Sequence, residues 1–355
     1  YTLSLNAVDS RYIAVAMLSS TKAICAFRNN STTYLNAVVV NYGSASGATS
    51  AVNAEASLDI SIAAQTSTQA TVVYKTSTGA TKAYVLDVSG TTITPGSVAS
   101  VDAGTGGSGT SITALSSTQL LCAYQGGAAG TPRMRVFDIS GSTITASSEV
   151  AADATAAAAT YIKVRKISSS KAVVAFRNNT GNKPQIRLQS ITGSTPAPTG
   201  SVLDISATPG TTPATALGIA VLSSSRAVLV APIDRSYGDL MISLLDISGT
   251  SATLVRNKII SVGSNGTVDA DAIKIDSNTV YATWTGGGSL GSDAIVIRIT
   301  SDDKIVVYPV ADQIEPSVSA SPGYLAADAL DSAHVVQLCR NASTYLSAKV
   351  VEIAA

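Results

Sequence analysis

The chain has 355 residues, of which 13% are charged, and its 23 lysines and arginines balance its 23 aspartates and glutamates. No run of like charge occurs, which excludes the basic patch or tail that proteins use to bind nucleic acid. The apolar stretches are broken well short of the ~20 residues that cross a bilayer, so we predict no membrane insertion.

One unit recurs along the whole chain. The segment "LSSTKAICAFRNN" that begins at Leu18 returns as "LSSTQLLCAYQGG" at Leu115 and as "ISSSKAVVAFRNN" at Ile167. Aligning the sequence on this turn gives seven anchors that lie 47 to 55 residues apart. The anchors are Leu18, Gln65, Leu115, Ile167, Leu222, Ile275 and Leu330.

Each unit predicts four antiparallel strands. An apolar strand such as "RYIAVAM" precedes the anchor, and a second such as "KAICAF" follows it. A variable polar loop then leads to a third strand such as "KAYVLDV", and a Ser-Gly turn leads to a fourth such as "TTITPGS". Glycine supplies the positive φ that a tight hairpin turn needs. Four strands in ~50 residues is the size of a propeller blade, and apolar residues on both strand faces fit a blade packed between neighbours.

The two ends of the chain fit one sheet. The last unit stops after its third strand, "YLSAKVVEIAA", and the first segment, "YTLSLNAV", has the spacing of a fourth strand before the first anchor. Sharing a blade in this way leaves no open sheet edge at the seam. We therefore predict one all-β domain over residues 1–355, a seven-bladed β-propeller of four-stranded antiparallel blades that the N-terminal strand closes.

The units resemble the repeats of bacteriophage tail-fibre-like and other virion-associated β-propeller proteins. The segments "LSSTKAICAFRNN" and "STQATVVYKTSTGATKAYVLDVSGTTITPGS" carry this likeness, which extends over essentially the whole chain. Departures are Ala231-Pro232 in the fifth unit and "SDDKIVV" in place of the Ser-Gly hairpin in the sixth. The resemblance implies an extracellular virion component that binds a host-surface glycan or builds the particle, with other virion proteins or itself as partners.

The ends of the second strands give the candidate binding site. Counting ten residues from each anchor reaches a cation in four of seven units, often followed by asparagine. These positions open on the face that carries the long variable loops, where binding usually resides. We predict a ring of side chains that hydrogen-bond sugar hydroxyls or acidic glycans; the alternative is that they cap turns or contact a neighbouring subunit. The candidates are Arg28, Asn29, Asn30, Lys75, Arg177, Asn178, Arg340 and Asn341.

Two further loops complete the candidate site. Trp284, the only tryptophan, precedes a Gly-rich loop that would let a ligand approach its ring, or else it packs between blades. The loop "APIDRSYGDL" supplies Asp234, Arg235 and Tyr237, either as a contact patch or as a local ion pair.

The remaining chemistry-bearing residues predict structure and no cofactor. Asp87, Asp138 and Asp246 recur just before hairpin turns, where Asp accepts hydrogen bonds from turn amides. The three cysteines form no metal-ligand spacing and fit small buried apolar residues. The single histidine, His334, begins a second strand at a column that otherwise holds Lys, Gln, Arg or Thr.

One histidine supports no Ser-His-Asp set, and the four glutamates indicate no pair across a cleft, so we predict a protein that is not an enzyme; a Ser-Lys pair is the alternative that the sequence leaves open. The leading hypothesis is a structural or adhesive component of an extracellular assembly, most plausibly a tail-fibre, spike or decoration protein on a virion surface. The alternative hypothesis is a soluble, lectin-like propeller that binds glycans through the loop ring. A third hypothesis is a polysaccharide-degrading enzyme.

Overall fold

A computed structural model describes residues 2–41, 47–102, 109–127, 130–155, 158–205, 216–233, 239–261, 269–285, 292–310, 325–340 and 345–353. All regular structure in these ranges is β-strand. Within them, no helix has the length and apolar character needed to cross a membrane.

The strands follow the predicted order of short strand, turn and hairpin. Strands β1 to β8 are Thr2–Ser19, Lys22–Asn29, Tyr34–Asn41, Ser50–Thr66, Gln69–Thr76, Thr81–Ser89, Thr92–Pro95 and Ala99–Asp102. Strands β9 to β17 are Thr110–Ala114, Gln119–Gly126, Thr131–Ser140, Thr143–Ala146, Val150–Ala151, Ala159–Ser168, Lys171–Asn178, Lys183–Thr192 and Thr195–Asp204. Strands β18 to β28 are Gly218–Ser223, Arg226–Pro232, Asp239–Ser248, Ser251–Ser261, Asp269–Lys274, Thr279–Thr285, Ser292–Ile299, Ile305–Pro309, Leu325–Ala329, His334–Arg340 and Tyr345–Glu352.

Hydrogen bonding joins the described strands into five sheets, whereas the sequence predicts seven separate blades. The difference arises from β1 and β4, which have 18 and 17 residues and each pair on both sides of a junction. The start of β1 pairs antiparallel with β28 and its remainder with β2. In the same way, β4 pairs first with β3 and then with β5. One sheet of 11 strands results, and the predicted separation of blades fails at these two junctions. The pairing of β1 with β28 is the predicted sharing of a sheet by the two chain ends.

The first strand of each unit faces a common axis. The strands β1, β4, β9, β14, β18, β22 and β26 contact one another in sequence, and β26 returns to β1. Together they line one axial channel with a volume of about 650 Å³. The turns between the first and second strands lie at one end of the channel, and the described second strands end at the other. We call these the hairpin end and the loop end.

The core lies between the sheets. Residues Ile24 to Phe27 are fully buried, although successive side chains of a strand point to opposite faces. Ile24 packs toward β4 and β5, and Cys25 and Phe27 pack against Leu338 of β27. Both faces of the sheet are therefore covered, as predicted for strands that are apolar on both sides.

At the hairpin end, polar side chains join neighbouring units. The first residue of a second strand donates to a backbone carbonyl or a carboxylate in the next unit's hairpin turn. Gln69 Nε2 donates to Gly141 O at 3.1 Å, and Gln119 Nε2 donates to Gly193 O at 3.1 Å. Lys171 donates to the Gly249 carbonyl, and Arg226 pairs with Asp303. We call these four contacts the hairpin staples.

The recurrent aspartates belong to the same network. Asp87 Oδ1 accepts from Gln69 Nε2 at 2.8 Å, and Asp138 Oδ1 accepts from Gln119 Nε2 at 2.9 Å, across the paired second and third strands. Asp246 lies 3.8 Å from Arg226 in the same arrangement. The predicted structural role holds, but these carboxylates accept from side chains rather than from turn amides. The turn glycine itself has the predicted positive φ, as at Gly141 (+56°).

One inner strand approaches its neighbour too closely for any side chain. A β-carbon at Gly218 of β18 would lie 2.6 Å from the carbonyl carbon of Asp271 and 2.7 Å from the nitrogen of Ala272 on β22. Real β-carbons essentially never come this close to backbone atoms, so glycine is required here. This close approach fixes the spacing of β18 and β22 around the channel.

Candidate functional site

Three of the inner strands, β1, β4 and β14, carry a bulge at the loop end of the channel. In β1 the pairing with β2 shifts between Arg11 and Ala14, so that Tyr12 and Ile13 together oppose Phe27. The pairings of β4 with β5 and of β14 with β15 shift at the equivalent places. A bulge of this kind re-aims a side chain. The residues re-aimed are Tyr12, Asp59 and Tyr161, and all three line the channel.

These bulge residues share a strained backbone. Their φ angles are +50° at Tyr12, +46° at Asp59 and +53° at Tyr161, and Gly109 holds the same position in the third unit at +116°. Residues other than glycine adopt this region at a cost of about 1 kcal/mol or more. The fold accepts this cost at three equivalent positions, each of which turns a tyrosine or an aspartate toward the channel. We call this end of the channel the mouth.

Three of the four predicted cations fall within the described residues, and they occur in two different states. The Arg28 guanidinium carbon lies 5.8 Å from the centre of the Tyr12 ring, a cation–π distance, and Arg28 is half-buried. Arg177 is also half-buried and hydrogen-bonds to Asn182. Lys75, in contrast, is 2% exposed, and its Nζ donates to Gln125 O of the next unit at 3.0 Å. Lys75 joins units together and is not accessible to a ligand.

Burial and neighbouring charges act together on Lys75 and Asp59. Burial lowers the pKa of Lys75, while the Asp59 and Asp102 carboxylates oppose that shift. Burial raises the pKa of Asp59, and a hydrogen bond from the Gly109 amide and the charge of Lys75 oppose it. The two groups therefore support each other's charged forms beneath the mouth.

The predicted asparagines mainly shape turns. Asn29 Oδ1 accepts from the Ser31 amide at 3.0 Å, and Asn178 Oδ1 accepts from the Thr180 amide at 2.9 Å. Both are Asx turns, the alternative that the sequence left open. Asn30 follows in the same turn and is half-buried.

Trp284 takes the second of its two predicted roles. It is 2% exposed and packs with Val228, Ile242 and Ile297 between the sheets of β18–β21 and β22–β25. A ligand cannot reach this ring in the structure, because neighbouring strands cover it. Within the described ranges its Nε1 has no hydrogen-bond partner.

Several predicted site residues cannot be placed. Asp234, Arg235, Tyr237 and Asn341 lie outside the described residues, as does the side chain of Arg340. Of the predicted ring, Arg28 contacts Tyr12 at the mouth, and Arg177 of β15 lies opposite Thr160 of β14, next to the Tyr161 bulge. Their role as ligand-binding residues stays a prediction. No group of metal-ligating side chains occurs in the described part of the chain.

The sequence reasoning missed the charged side chains inside the channel. Lys163, Arg165 and Lys166 of β14, Asp271 and Lys274 of β22, and Asp328 of β26 all line it. A signal was present, because most other inner strands carry Ala, Ser, Thr, Val or Ile in these columns, as in "YIAVAM" and "SITA". Charges in "YIKVRK" and "DADAIK" break that pattern.

The charged cluster is built around one ion pair. Arg165 Nη2 lies 2.9 Å from Asp271 Oδ1, which links β14 to β22. Asp328 Oδ2 accepts from the Met17 amide of β1 at 2.8 Å, and its Oδ1 accepts from the Ala329 amide at 2.9 Å. Burial raises the pKa of Asp328 to about 6, although both amides and Arg165 lower it. The nearby Asp271 carboxylate adds to the rise.

Comparison with known proteins identifies the architecture. No family model matches the chain, and no curated protein matches it significantly. A protein of unknown function from Dyadobacter fermentans is similar in structure, with a TM-score of 0.56 and 10% identity over 99% of this chain and 98% of that one. The six-bladed β-propeller lectin of Aleuria aurantia gives a TM-score of 0.51 and 13% identity over 87% of this chain and 99% of that one.

A third similar structure is the β-propeller domain of the Trilobed protease from Pyrococcus furiosus. It has a TM-score of 0.52 and 10% identity over 97% of this chain and 95% of that one. Identities this low show the fold and nothing finer. With the closed ring of inner strands, these likenesses show that the chain has the β-propeller fold.

Proposed function

We propose that this protein is a non-enzymatic, glycan-binding β-propeller whose binding site is the mouth of the axial channel. The observation that carries the proposal is the mouth itself, where strained bulges turn Tyr12 and Tyr161 into the opening of a cavity of about 650 Å³. Ligand sites combine a cavity of about 300–1,000 Å³ with a few convergent polar groups.

The side chains at the mouth have the chemistry that sugars need. Tyrosine rings offer an apolar face and a hydroxyl, and both rings are half-buried, so that each keeps a surface for a ligand. Arg28 and Arg177 supply hydrogen-bond donors beside them, and Asp59 supplies an acceptor. One fold neighbour supports the proposal, because the Aleuria aurantia protein is a lectin described by its fucose recognition.

The blade count and the location are part of the same proposal. Seven inner strands line the channel, and each begins a group of antiparallel strands. We infer a seven-bladed ring, in contrast to the six blades of the Aleuria aurantia lectin. An extracellular location suits a protein that binds glycans on a cell or particle surface.

The test replaces the bulge tyrosines. Asparagine tolerates a positive φ, so Tyr12→Asn and Tyr161→Asn remove the ring without adding backbone strain. On a glycan array, we expect each variant to lose at least tenfold in apparent affinity for the glycans that the unmodified protein binds. Circular dichroism and thermal unfolding establish that each variant is folded.

The chain offers a matched control. Tyr308 on β25 is 46% exposed and lies under Arg298 at 5.5 Å, the same tyrosine–arginine pairing on the outer rim. Tyr308→Asn should leave the array signal unchanged. Equal binding by folded Tyr12→Asn, Tyr161→Asn and unmodified protein would contradict a glycan site at the mouth.

A second candidate function is a structural component of an extracellular assembly, such as a virion. One observation favours it: the outer strands β21 and β25 expose Leu254, Val255, Ile259 and Tyr308. Exposed apolar side chains on the outer strands of these two sheets offer a surface for protein contact. If this rim is an assembly contact, the protein should self-associate in sedimentation, and the double variant Leu254→Ser, Ile259→Ser should sediment as a monomer. A monomeric unmodified protein at high concentration would contradict a homotypic contact there.

A further inference from the structure

The charges inside the channel are confined to part of its wall. Below the mouth, the lining of β1, β4, β9 and β18 is uncharged and consists mainly of small or aliphatic residues. In the described part of the chain, the charged side chains at this depth come from β14, β22 and β26, which supply Lys163, Arg165, Lys166, Asp271, Lys274 and Asp328. A ligand in the channel therefore meets a polar wall on one side and an uncharged wall on the other.

The charge balance of the channel favours an anion. Among the described residues its lining carries Lys163, Arg165, Lys166 and Lys274 against Asp59, Asp271 and Asp328, which is four positive charges against three negative ones, or +1. Asp59 interacts with Lys75, a buried cation that does not line the channel, so one of the three negative charges is already compensated.

The four cations of the lining differ in whether another group of the protein already binds them. Arg165 pairs with Asp271, and Lys166 Nζ donates to Leu115 O at 2.6 Å. No hydrogen bond or ion pair within the described residues occupies Lys163 or Lys274. Lys163 is half-buried within the channel, whereas Lys274 is exposed at its far end.

We propose that the channel selects glycans that carry a carboxylate, which enters below the mouth and is held by Lys163 beside the Arg165–Asp271 pair. This inference rests on the proposed function, and it names the class of sugar. Lys163 follows Tyr161 by two residues on β14, just past the bulge, and both residues line the channel. A sugar ring against Tyr161 thus places a carboxylate substituent within reach of the Lys163 ammonium group.

Asp328 makes this selection sensitive to pH. Its carboxylate faces Arg165 of β14 and Asp271 of β22, and it accepts a hydrogen bond from the Met17 amide of β1. On its own sheet it lies opposite Val336 of β27. Because its pKa is raised to about 6, Asp328 takes up a proton as the pH falls from 7.5 to 5.5. The lining then loses one negative charge while a sugar carboxylate stays ionised.

The experiment compares sugars that differ only in the carboxylate. Dissociation constants are measured by saturation-transfer NMR for galactose against galacturonate and for glucose against glucuronate, at low ionic strength and pH 7. We expect the acid of at least one pair to bind about five- to tenfold more tightly than its neutral partner. Lys163→Met should reduce that ratio to within twofold, and Lys163→Arg should retain it. Lys183→Met, which removes an exposed lysine at the start of β16, should leave the ratio unchanged.

The pH arm tests the role of Asp328. The preference for the acid should grow about two- to fivefold from pH 7.5 to pH 5.5 in the unmodified protein and stay constant in Asp328→Asn. Neutral sugars that bind as well as their acids would overturn this inference and leave the proposed function standing. A preference that survives Lys163→Met would also overturn it. If no sugar binds in solution or on the array, the proposed function fails and this inference fails with it.

Discussion

The two ends of the second strands differ in how they use the same kinds of residue. At the hairpin end, the first residue of β5, β10, β15 and β19 makes a hairpin staple to the next unit. At the loop end, Arg28 and Arg177 stay within their own units, where they contact Tyr12 and Asn182. The polar residues that recur at the start of the second strands therefore join neighbouring units. Those that recur at the end of the second strands leave side chains for a ligand.

Lys75 is the exception at the loop end, and it gives the largest expected effect. Lys75→Met removes a buried ammonium group from Gln125 O and takes away the positive charge that lowers the pKa of Asp59. Breaking a buried charged contact typically costs about 3–5 kcal/mol in the free energy of unfolding. Urea denaturation measures the loss.

The matched control is Lys82→Met, because Lys82 forms an exposed ion pair with Glu55 at 2.7 Å. Exposed pairs contribute at most about 1 kcal/mol. If Lys75→Met were no more destabilising than Lys82→Met, Lys75 would belong with the cations of the mouth and not with the residues that join neighbouring units.

Gln119→Ala tests a hairpin staple directly. It removes hydrogen bonds to Asp138 and to the Gly193 carbonyl, each worth about 1 kcal/mol, so we expect a loss of about 1–2 kcal/mol in unfolding free energy. Ser116→Ala serves as the control, since Ser116 accepts only from the Thr118 amide within one exposed turn. Equal effects of both variants would show that the staples do not hold neighbouring units together.

Asp328 gives a pH-dependent effect of intermediate size. Its folded-state pKa of about 6 lies above its ordinary value of 3.8, so the folded state holds its proton more tightly and stability rises as the pH falls through this range. From pH 7 to pH 5 this amounts to about 1 kcal/mol, at 1.36 kcal/mol per pKa unit. Asp328→Asn should remove that part of the pH dependence. An unchanged pH profile in the variant would show that the carboxylate titrates near its ordinary value.

Arg28→Ala should have the smallest effect on stability. Arg28 is half-buried and stacks on Tyr12, an interaction worth about 0.5–1 kcal/mol at partly exposed sites. We expect a change in unfolding free energy of no more than about 1 kcal/mol, together with weaker glycan binding. A large loss of stability would place Arg28 with Lys75 among the residues that hold the ring.

The sequence predicts the strands and turns well because their signals are local. Alternating β-branched residues and Ser-Gly dipeptides place the hairpins, and Gly90, Gly141, Gly193 and Gly249 all have the positive φ that such turns require. The fusion of units through β1 and β4 was missed, although the residues of both strands include no glycine or proline to interrupt them. The junction before β9, "DAGTGGSGT", shows the interruption that the other two lack.

The candidate site was less predictable, because residue type does not fix exposure. Lys75 and Arg28 occupy the same column, yet one is buried and the other lies beside the mouth. The bulge positions of Tyr12, Asp59 and Tyr161 depend on pairing shifts that no single strand reveals. The channel charges come from three different units and converge only in the closed ring.

The two long strands also bear on how such a ring comes apart. A gap between units joined by β1 or β4 requires the breakage of a strand that is hydrogen-bonded on both sides of the junction. The units that begin at β9, β14, β18 and β22 are separate sheets, held to their neighbours by side-chain packing and staples. Transient opening, as seen by amide hydrogen exchange, should therefore begin among these later units. The continuous sheet of 11 strands should stay intact and hold its own part of the ring closed.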